Sequence, residues 1–325
     1  MKGKKAALAR AMELGGLAWL TRHTASWQGL LVLNYHRIAA SAEQVLDVGV
    51  WSATPESFAQ QVAWLQRETD LLAPDDLPAA LERPGRHTLL TFDDGYADNL
   101  TAALPILRAA GAKAAFFPVT AWLDEPRVPG WDELAWMVRH RTCELSALGV
   151  EGDDEEAVVL GLLRGWRRMS PAGAEAMLDR LAETLGAGRA PLELAGSLFC
   201  SWDDMRAIAA AGMMLGGHTH RHVCMATLDA DEQRREIETC SQRLLAETGV
   251  RPTWFSYPYG AADGFTEVTV ALLRAQGYRY GCSQFGGWQA RGGVEPFNLK
   301  RVAVDHPIAP ALWRAVVTWP SLFAG

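Results

Sequence analysis

The stretch HTLLTFDDG, residues 87–95, decides how this sequence folds. Its apolar run ends in two adjacent aspartates and a glycine, which is typical of a buried strand in a parallel sheet. The runs GLLVLNYH (29–36) and KAAFFPVT (113–120) have the same form. The stretch TPESFAQQVAWLQRE (54–68) has a threonine N-cap, a proline at the first helical position and apolar residues at helical spacing. This alternation of strands and helices predicts an α/β fold with a parallel sheet or barrel.

The same alternation continues in the C-terminal half of the chain. We expect strands near residues 196–200, 213–217, 254–260, 278–283 and 299–304. Helices are expected between them, over residues 231–247 and 265–276. Residues 125–195 differ, because they predict helices at 155–168 and 171–185 and carry no strand signal. We interpret them as a helical insertion with the character of a lid.

Composition excludes several classes of protein. A chain of 325 residues with 49% hydrophobic and 21% charged residues is globular rather than disordered, collagen-like or coiled-coil. Five scattered cysteines without a C-x-x-C pair argue against a disulfide scaffold and against a cysteine-built zinc site. A net charge of −7 argues against nucleic-acid binding. The 13 tryptophans are many for this length and favour a sugar-binding cleft, although any single one is more often a core residue.

Residues 1–28 predict a separate basic amphipathic helix. Six basic residues and one acidic residue give the first 37 residues a net charge of +5. Arg10 and Glu13 interrupt the apolar stretch that a secretory signal needs, and no apolar run is long enough to span a membrane. We therefore expect a cytoplasmic protein whose basic helix either packs on the domain or lies at the inner membrane face. The predicted apolar stripe of the helix is Leu8, Met12, Gly15 and Trp19.

Two polar clusters predict a metal site. His218 and His222 are four residues apart, a spacing that lets two imidazoles bind one metal ion. Thr219 follows the first histidine where a zincin protease has glutamate, so that chemistry is excluded. Asp93 and Asp94 end a buried strand, where adjacent carboxylates repel each other unless a cation relieves them. The alternatives are a histidine-rich surface turn and an aspartate that caps a helix.

The segments TFDDG (91–95) and HTHRH (218–222) resemble the first two motifs of the polysaccharide deacetylases, carbohydrate esterase family 4 or the NodB-homology domain. The resemblance extends over about residues 30–305 and is interrupted by the insertion. It implies an irregular (β/α)7 barrel over residues 29–325 that binds one divalent metal ion, with Zn2+ the expected ion. It also implies a metal triad of Asp94, His218 and His222, with Asp93 as the general base.

The third motif of this family departs from its usual form here. The segment SYPYG (256–260) keeps the Pro258 and Tyr259 that resemble the oxyanion and substrate-binding part of the motif. The arginine that normally pairs with the catalytic aspartate is replaced by Ser256. Arg301, on a late predicted strand, is our candidate for the residue that tunes Asp93.

The general acid has two candidates. The early segment NYHRI (34–38) resembles the branch of poly-N-acetylglucosamine deacetylases, in which an early Tyr-His supplies the acid, and this assigns the role to His36. His306 is the competitor, because it follows the last predicted strand.

The resemblance implies a metal-dependent hydrolase that removes N-acetyl groups from an amino-sugar polysaccharide or oligosaccharide and releases acetate. One alternative is a deformylase or deacetylase of a lipid-linked amino sugar at the membrane, which would suit the basic helix. Another is a carbohydrate-binding protein that has lost catalysis, which the serine at position 256 would favour.

Overall fold

The computed structural model describes residues 2–14, 27–41, 46–148, 154–167 and 169–324. The strands are β1 (Gly29–Tyr35), β2 (Arg37–Ile38), β3 (Trp51–Ala53), β4 (Asp70–Leu71), β5 (Arg86–Asp94), β6 (Ala115–Pro118), β7 (Met214–Leu215), β8 (Trp254–Ser256), β9 (Tyr280–Cys282), β10 (Trp288–Ala290) and β11 (Arg301–Ala303). The α-helices are α1 (Lys2–Leu14), α2 (Pro55–Glu68), α3 (Leu77–Leu81), α4 (Leu104–Ala109), α5 (Thr120–Asp124), α6 (Gly130–Arg139), α7 (Glu155–Trp166), α8 (Pro171–Leu185), α9 (Leu192–Leu198), α10 (Trp202–Ala210), α11 (Ala230–Thr248), α12 (Glu267–Ala275), α13 (Pro310–Thr318) and α14 (Pro320–Phe323). Shorter 3-10 turns cover Val48–Val50, Pro74–Asp76, Leu145–Leu148 and Met225–Thr227, and a π-helical turn covers Asn99–Ala103.

Strand β1 is central to the main sheet, and every one of its residues is buried. It runs parallel to β5, from Gly29 beside Arg86 to Tyr35 beside Phe92, and β6 and β7 follow on that side. On its other side β1 pairs with the antiparallel β10 and then with the parallel β11. A mainly parallel sheet buried among helices confirms the predicted α/β class.

Strands β8 and β9 form a separate parallel pair, so the described strands do not make a continuous closed barrel. Isolated parallel bridges join this pair to its neighbours, between Gly217 and Phe255 on one side and between Cys282 and Leu299 on the other. The parallel strands therefore follow one another around a common interior, with two seams where the pairing is reduced to isolated bridges. This arrangement brings their carboxyl ends to one side, where functional residues of such folds lie.

Two of the described helices begin at side-chain caps. Thr54 caps α2 by accepting a hydrogen bond from the Ser57 backbone N–H. Ser201 and Asp204 form a reciprocal capping box at the start of α10.

One predicted strand is wrong. Residues 196–200 were expected to resume the sheet, but Leu192–Leu198 is helix α9. The apolar residues Leu194, Ala195 and Leu198 recur at helical spacing and pack into the core of the insertion. A short apolar run does not distinguish a strand from a buried helix, which is the reason for the error.

Helices α6 to α9 form a cap over the carboxyl ends of the strands. Between Pro118 and Met214, the described residues include no strand of the sheet, in agreement with the predicted helical insertion. The cap has its own apolar core, which also takes in Val50, Tyr96 and Val119 from the α/β part. The cap is therefore joined to the site through shared packing.

The N-terminal helix α1 packs against α13. Ala9 is buried in the main core and Met12 packs against it, whereas Leu8 is 54% exposed, so the predicted stripe is wrong at Leu8. Gly15 and Trp19 lie outside the described residues. Among the described helices, none has the length and apolarity to cross a membrane. Attachment of α1 to a membrane surface stays a prediction.

The position of β1 predicts a large stability difference between two leucines. Leu33 is fully buried in the main core, and Leu322 is 62% exposed on α14. We expect Leu33→Ala to lower the free energy of unfolding by about 2–5 kcal/mol, because it leaves a cavity in the core. Leu322→Ala, the matched control, should change it by about 0.5 kcal/mol or less. Urea denaturation of both variants measures the difference, and equal losses would contradict this packing.

Candidate functional site

The predicted site segments meet above one end of the sheet. Asp93 and Asp94 are the last two residues of β5, and His36 directly follows β1. The His218–His222 segment follows β7, and Tyr259 lies in a turn after β8. All of these positions are at carboxyl ends of parallel strands, which is the reason they converge.

Asp94, His218 and His222 bring their ligand atoms together. The Asp94 Oδ1 atom lies 3.4 Å from Nε2 of each histidine, and the three candidate ligand atoms are all within 4.8 Å of one another. All three residues are buried. Within the described part of the chain, Asp94 Oδ1 has no hydrogen-bond partner. An orphaned buried carboxylate oxygen facing two imidazoles fits a divalent cation, and nitrogen and oxygen donors of this kind suit zinc.

The hydrogen bond of His218 and the low pKa of His222 also fit a metal site. His218 Nδ1 lies 2.8 Å from the backbone oxygen of Ser256, and a proton on Nδ1 leaves the Nε2 lone pair for a metal. Burial lowers the pKa of His222 to about 3, so its imidazole is neutral near pH 7. Neutral imidazole is the form that binds metal ions.

The backbone is strained at the same place. The non-glycine residues with left-handed backbone in the described part of the chain are Asp94, Thr219, His222 and Tyr259, with φ between 58° and 72°. Each such residue costs of the order of 1 kcal/mol or more and persists only where its surroundings hold it. Three of the four are residues that the sequence assigns to the site. The strain therefore marks the site independently of the motifs.

Glu236 on α11 holds the histidine segment in this shape. Its buried carboxylate accepts hydrogen bonds from the backbone N–H groups of His220 and Arg221 and from the Arg221 side chain. Glu236 was not among the residues predicted from the sequence. Its position in the helix could have indicated this role. Glu236 lies on the buried stripe of α11 with Ile237 and Cys240, where a carboxylate needs a specific partner.

Asp93 and Arg301 form a buried, two-pronged ion pair. Arg301 Nη1 donates to Asp93 Oδ1 at 2.9 Å, and Nη2 donates to Oδ2 at 2.8 Å. Arg301 is 1% exposed and starts β11, so its side chain extends through the interior to reach the aspartate. Burial alone would raise the pKa of Asp93, but the Arg301 guanidinium outweighs it and holds that pKa well below its usual value.

Polar residues from β1 and β8 complete this pair. Ser256, at the position where the motif usually has arginine, donates its hydroxyl to Asp93 Oδ2 at 3.1 Å and accepts from Arg301 Nη2 at 2.9 Å. Asn34 donates its amide to the same Oδ2 atom and accepts from Arg301 Nη1. The sequence analysis missed Asn34, although an asparagine in a fully buried apolar strand is itself a signal.

Both candidates for the general acid border the same cavity. This cavity has a volume of about 630 Å³ and is lined by Asp93, His36 and His306, together with His218, His222 and Tyr259. The His306 ring packs on Trp51, with ring centroids 3.9 Å apart. Proximity to the cavity therefore does not distinguish His36 from His306.

Trp122 on α5 and Trp131 of the cap form one wall of the site. The rings of Trp122 and Trp131 pack against the His222 imidazole, with centroids 5.4 Å and 4.8 Å from it. A second cavity of about 700 Å³ lies under the cap and shares Trp131, His222, Tyr259 and Arg167 with the first. The two cavities thus lie on either side of His222 and Tyr259.

Comparison with known proteins agrees with this geometry. The family described as polysaccharide deacetylase matches residues 80–281 of the chain. A curated Escherichia coli (strain K12) protein, poly-beta-1,6-N-acetyl-D-glucosamine N-deacetylase, is 22% identical over 269 residues, which cover 77% of this chain. The match covers 33% of the length of that relative.

Two solved structures share the fold. IcaB from Ammonifex degensii superimposes with a TM-score of 0.56 at 19% identity and covers 90% of this chain and 97% of that chain. The Streptococcus pyogenes deacetylase PplD in complex with acetate has a TM-score of 0.57 at 17% identity and covers 88% and 96%.

The buried ion pair predicts that substitutions of Asp93 and Arg301 have coupled effects on the free energy of unfolding, which can be measured without an activity assay. Arg301→Met should destabilise the protein by about 3–5 kcal/mol, because it leaves Asp93 buried without its cation. In an Asp93→Asn background the same substitution should cost less, since no buried charge is left unpaired. Urea denaturation of the two single variants, the double variant and the parent protein measures the coupling. An equal cost of Arg301→Met in both backgrounds would show that the pair is not coupled.

Proposed function

The chain belongs to the polysaccharide deacetylase family, and we propose that it hydrolyses the N-acetyl amide of an amino sugar in a polysaccharide or oligosaccharide and releases acetate. One observation carries the proposal. Asp93, held by Arg301, borders the same cavity as Asp94, His218 and His222. An ionised base beside a set of metal ligands is what hydrolysis of an amide by water needs.

Metal dependence is part of the proposal. Asp94, His218 and His222 would hold one divalent cation, with Zn2+ the expected ion. When bound, the cation supplies Lewis acidity that acidifies water and polarises the amide carbonyl, which a base as weak as Asp93 requires.

Asp93 takes the proton of the attacking water. Its low pKa keeps the carboxylate ionised, and Arg301 fixes its orientation. The Oδ2 atom accepts hydrogen bonds from Arg301, Asn34 and Ser256, whereas Oδ1 accepts one, from Arg301. Because Oδ1 accepts fewer hydrogen bonds than Oδ2, it has a lone pair available for a proton, and we assign proton acceptance to Oδ1.

The remaining steps use groups around the same cavity. The oxygen of water forms a bond to the amide carbonyl carbon, and the Tyr259 backbone N–H is the proposed donor to the developing oxyanion. His36, with His306 as the alternative, then donates a proton to the amide nitrogen as the carbon–nitrogen bond breaks. The products are a free amine on the sugar and acetate.

The named relative and the size of the site support the proposed substrate class. The curated relative acts on poly-beta-1,6-N-acetyl-D-glucosamine, which makes β-1,6-linked N-acetylglucosamine oligosaccharides the first substrate to test. The cavities of about 630 and 700 Å³ are far larger than an acetamide group and are in the range of pockets for whole ligands, about 300–1,000 Å³. Because Asp93 and the candidate metal ligands border one cavity, they favour an enzyme over a carbohydrate-binding protein without catalysis.

Two aspartate variants should separate metal binding from turnover. Asp94→Ala should lose bound metal and acetate release together, because it removes a ligand. Asp93→Asn should keep the metal and lower the rate by about 10²–10⁴-fold, because it removes the base. Elemental analysis of the purified proteins and an acetate assay with the N-acetylglucosamine oligosaccharide make the two measurements. Full activity of both variants would refute the assignment.

The leaving group can identify the general acid. His36→Ala should lower acetate release from the oligosaccharide by about 10²–10⁴-fold. The same variant should hydrolyse 4-nitrophenyl acetate at nearly the parent rate, because 4-nitrophenolate departs without protonation. His306→Ala is the matched control and should keep both activities. The opposite pattern, with His306→Ala alone losing activity on the oligosaccharide, would move the role to His306.

A further inference from the structure

Asp47 borders the cavity of Asp93 and His36 and has no role in the steps above. It immediately precedes the 3-10 turn Val48–Val50, and it is 3% exposed. Its neighbours in the turn also line the cavity. A nearly buried carboxylate at the edge of a reaction cavity needs an explanation.

The side chain of Asp47 is held in place on one side. Its Oδ1 atom accepts a hydrogen bond from the Gly49 backbone N–H at 2.8 Å, and its own backbone N–H donates to Asp132 Oδ1 at 2.8 Å. Asp132 is fully buried on α6, and the Tyr96 hydroxyl donates to its other oxygen at 3.3 Å. Because Tyr96 follows the end of β5 by two residues, Asp47 is anchored to the strand that carries Asp93.

The second oxygen of Asp47 has no such partner. Within the described residues, Asp47 Oδ2 is buried and accepts no hydrogen bond. Burial raises the pKa of the Asp47 carboxyl, and hydrogen bonding by Gly49 and the charges of Arg167 and Arg139 act against that rise. A buried oxygen without a donor costs free energy, and a donor from a ligand in the cavity would remove that cost.

We propose that Asp47 is a substrate-binding residue whose Oδ2 atom accepts a hydrogen bond from a hydroxyl group of the sugar. This inference rests on the proposed function. The charges of Arg167 and Arg139 already act on this carboxylate, so among the described residues its Oδ2 atom lacks a hydrogen-bond donor rather than a counter-ion. A neutral hydroxyl supplies that donor, and a pyranose ring carries several. Asp47 would hold the ring of the amino sugar whose amide lies at Asp93.

The test compares Asp47→Asn with Glu156→Gln. Asparagine keeps the oxygen that caps the turn at Gly49 but can present an amide donor where Oδ2 is an acceptor. Glu156 borders the same cavity, is exposed to solvent, and its substitution removes the same charge. With a β-1,6-linked N-acetylglucosamine oligosaccharide, Asp47→Asn should raise KM by about 10- to 100-fold and leave kcat nearly unchanged. Glu156→Gln should leave both constants near those of the parent.

Two further measurements make the result decisive. Isothermal titration calorimetry with the same oligosaccharide, in an Asp93→Asn background, should show the same loss of affinity on adding Asp47→Asn. The same measurement is made with a series of monodeoxy analogues, each of which lacks one hydroxyl group. The analogue without the hydroxyl that Asp47 accepts should bind the parent protein weakly, and Asp47→Asn should not weaken its binding further. Unchanged affinity in Asp47→Asn, or a loss confined to kcat, would overturn the role of Asp47. Acetate release by the parent protein reports separately on the proposed function, because calorimetry measures binding without turnover.

Discussion

The buried ion pair between Asp93 and Arg301 is the interaction on which the site depends. Two charges in a dry interior are tolerated only when each is paired and hydrogen-bonded, and here Asn34 and Ser256 supply the remaining partners. Asn34, Asp93 and Arg301 come from three neighbouring strands of the main sheet, and Ser256 comes from the separate β8–β9 pair. The pair can therefore form only when these strands are assembled, which couples the geometry of Asp93 to the fold.

The cluster of Asp94, His218 and His222 adds a second constraint. Asp94 and His222 both have left-handed backbone, which costs free energy in residues other than glycine. Glu236 offsets that cost on one side through its three hydrogen bonds to the histidine segment. On the other side Trp131 of the cap packs on His222. The cap is thus a supporting part of the site as well as a cover for it.

Much of this arrangement could be predicted from the sequence, because motif residues at strand ends must converge in a parallel fold. The α/β class and the helical character of the insertion followed from the pattern of apolar residues, and the proximity of Asp94, His218 and His222 followed from the rule on strand ends. The pairing of Arg301 with Asp93 was expected from the serine at position 256, since a buried carboxylate needs a cation from elsewhere.

Other features could not be predicted from the spacing of residues within short segments. Asn34, Glu236, Asp47 and Asp132 act through hydrogen bonds between segments distant in sequence, and no local pattern specifies which distant group a buried polar residue meets. The helix at 192–198 and the exposed Leu8 show the related limit that burial of an apolar residue depends on its neighbours in space. The two places where strand pairing is reduced to isolated bridges depend in the same way on contacts between segments that are distant in sequence.

The most direct test of the central claim is acetate release by the parent protein from a β-1,6-linked N-acetylglucosamine oligosaccharide, measured with and without bound metal. We predict equal amounts of acetate and free amine, loss of both after chelation, and recovery when Zn2+ is returned. Undiminished release from fully chelated protein, or no release in the presence of any divalent cation, would contradict the account.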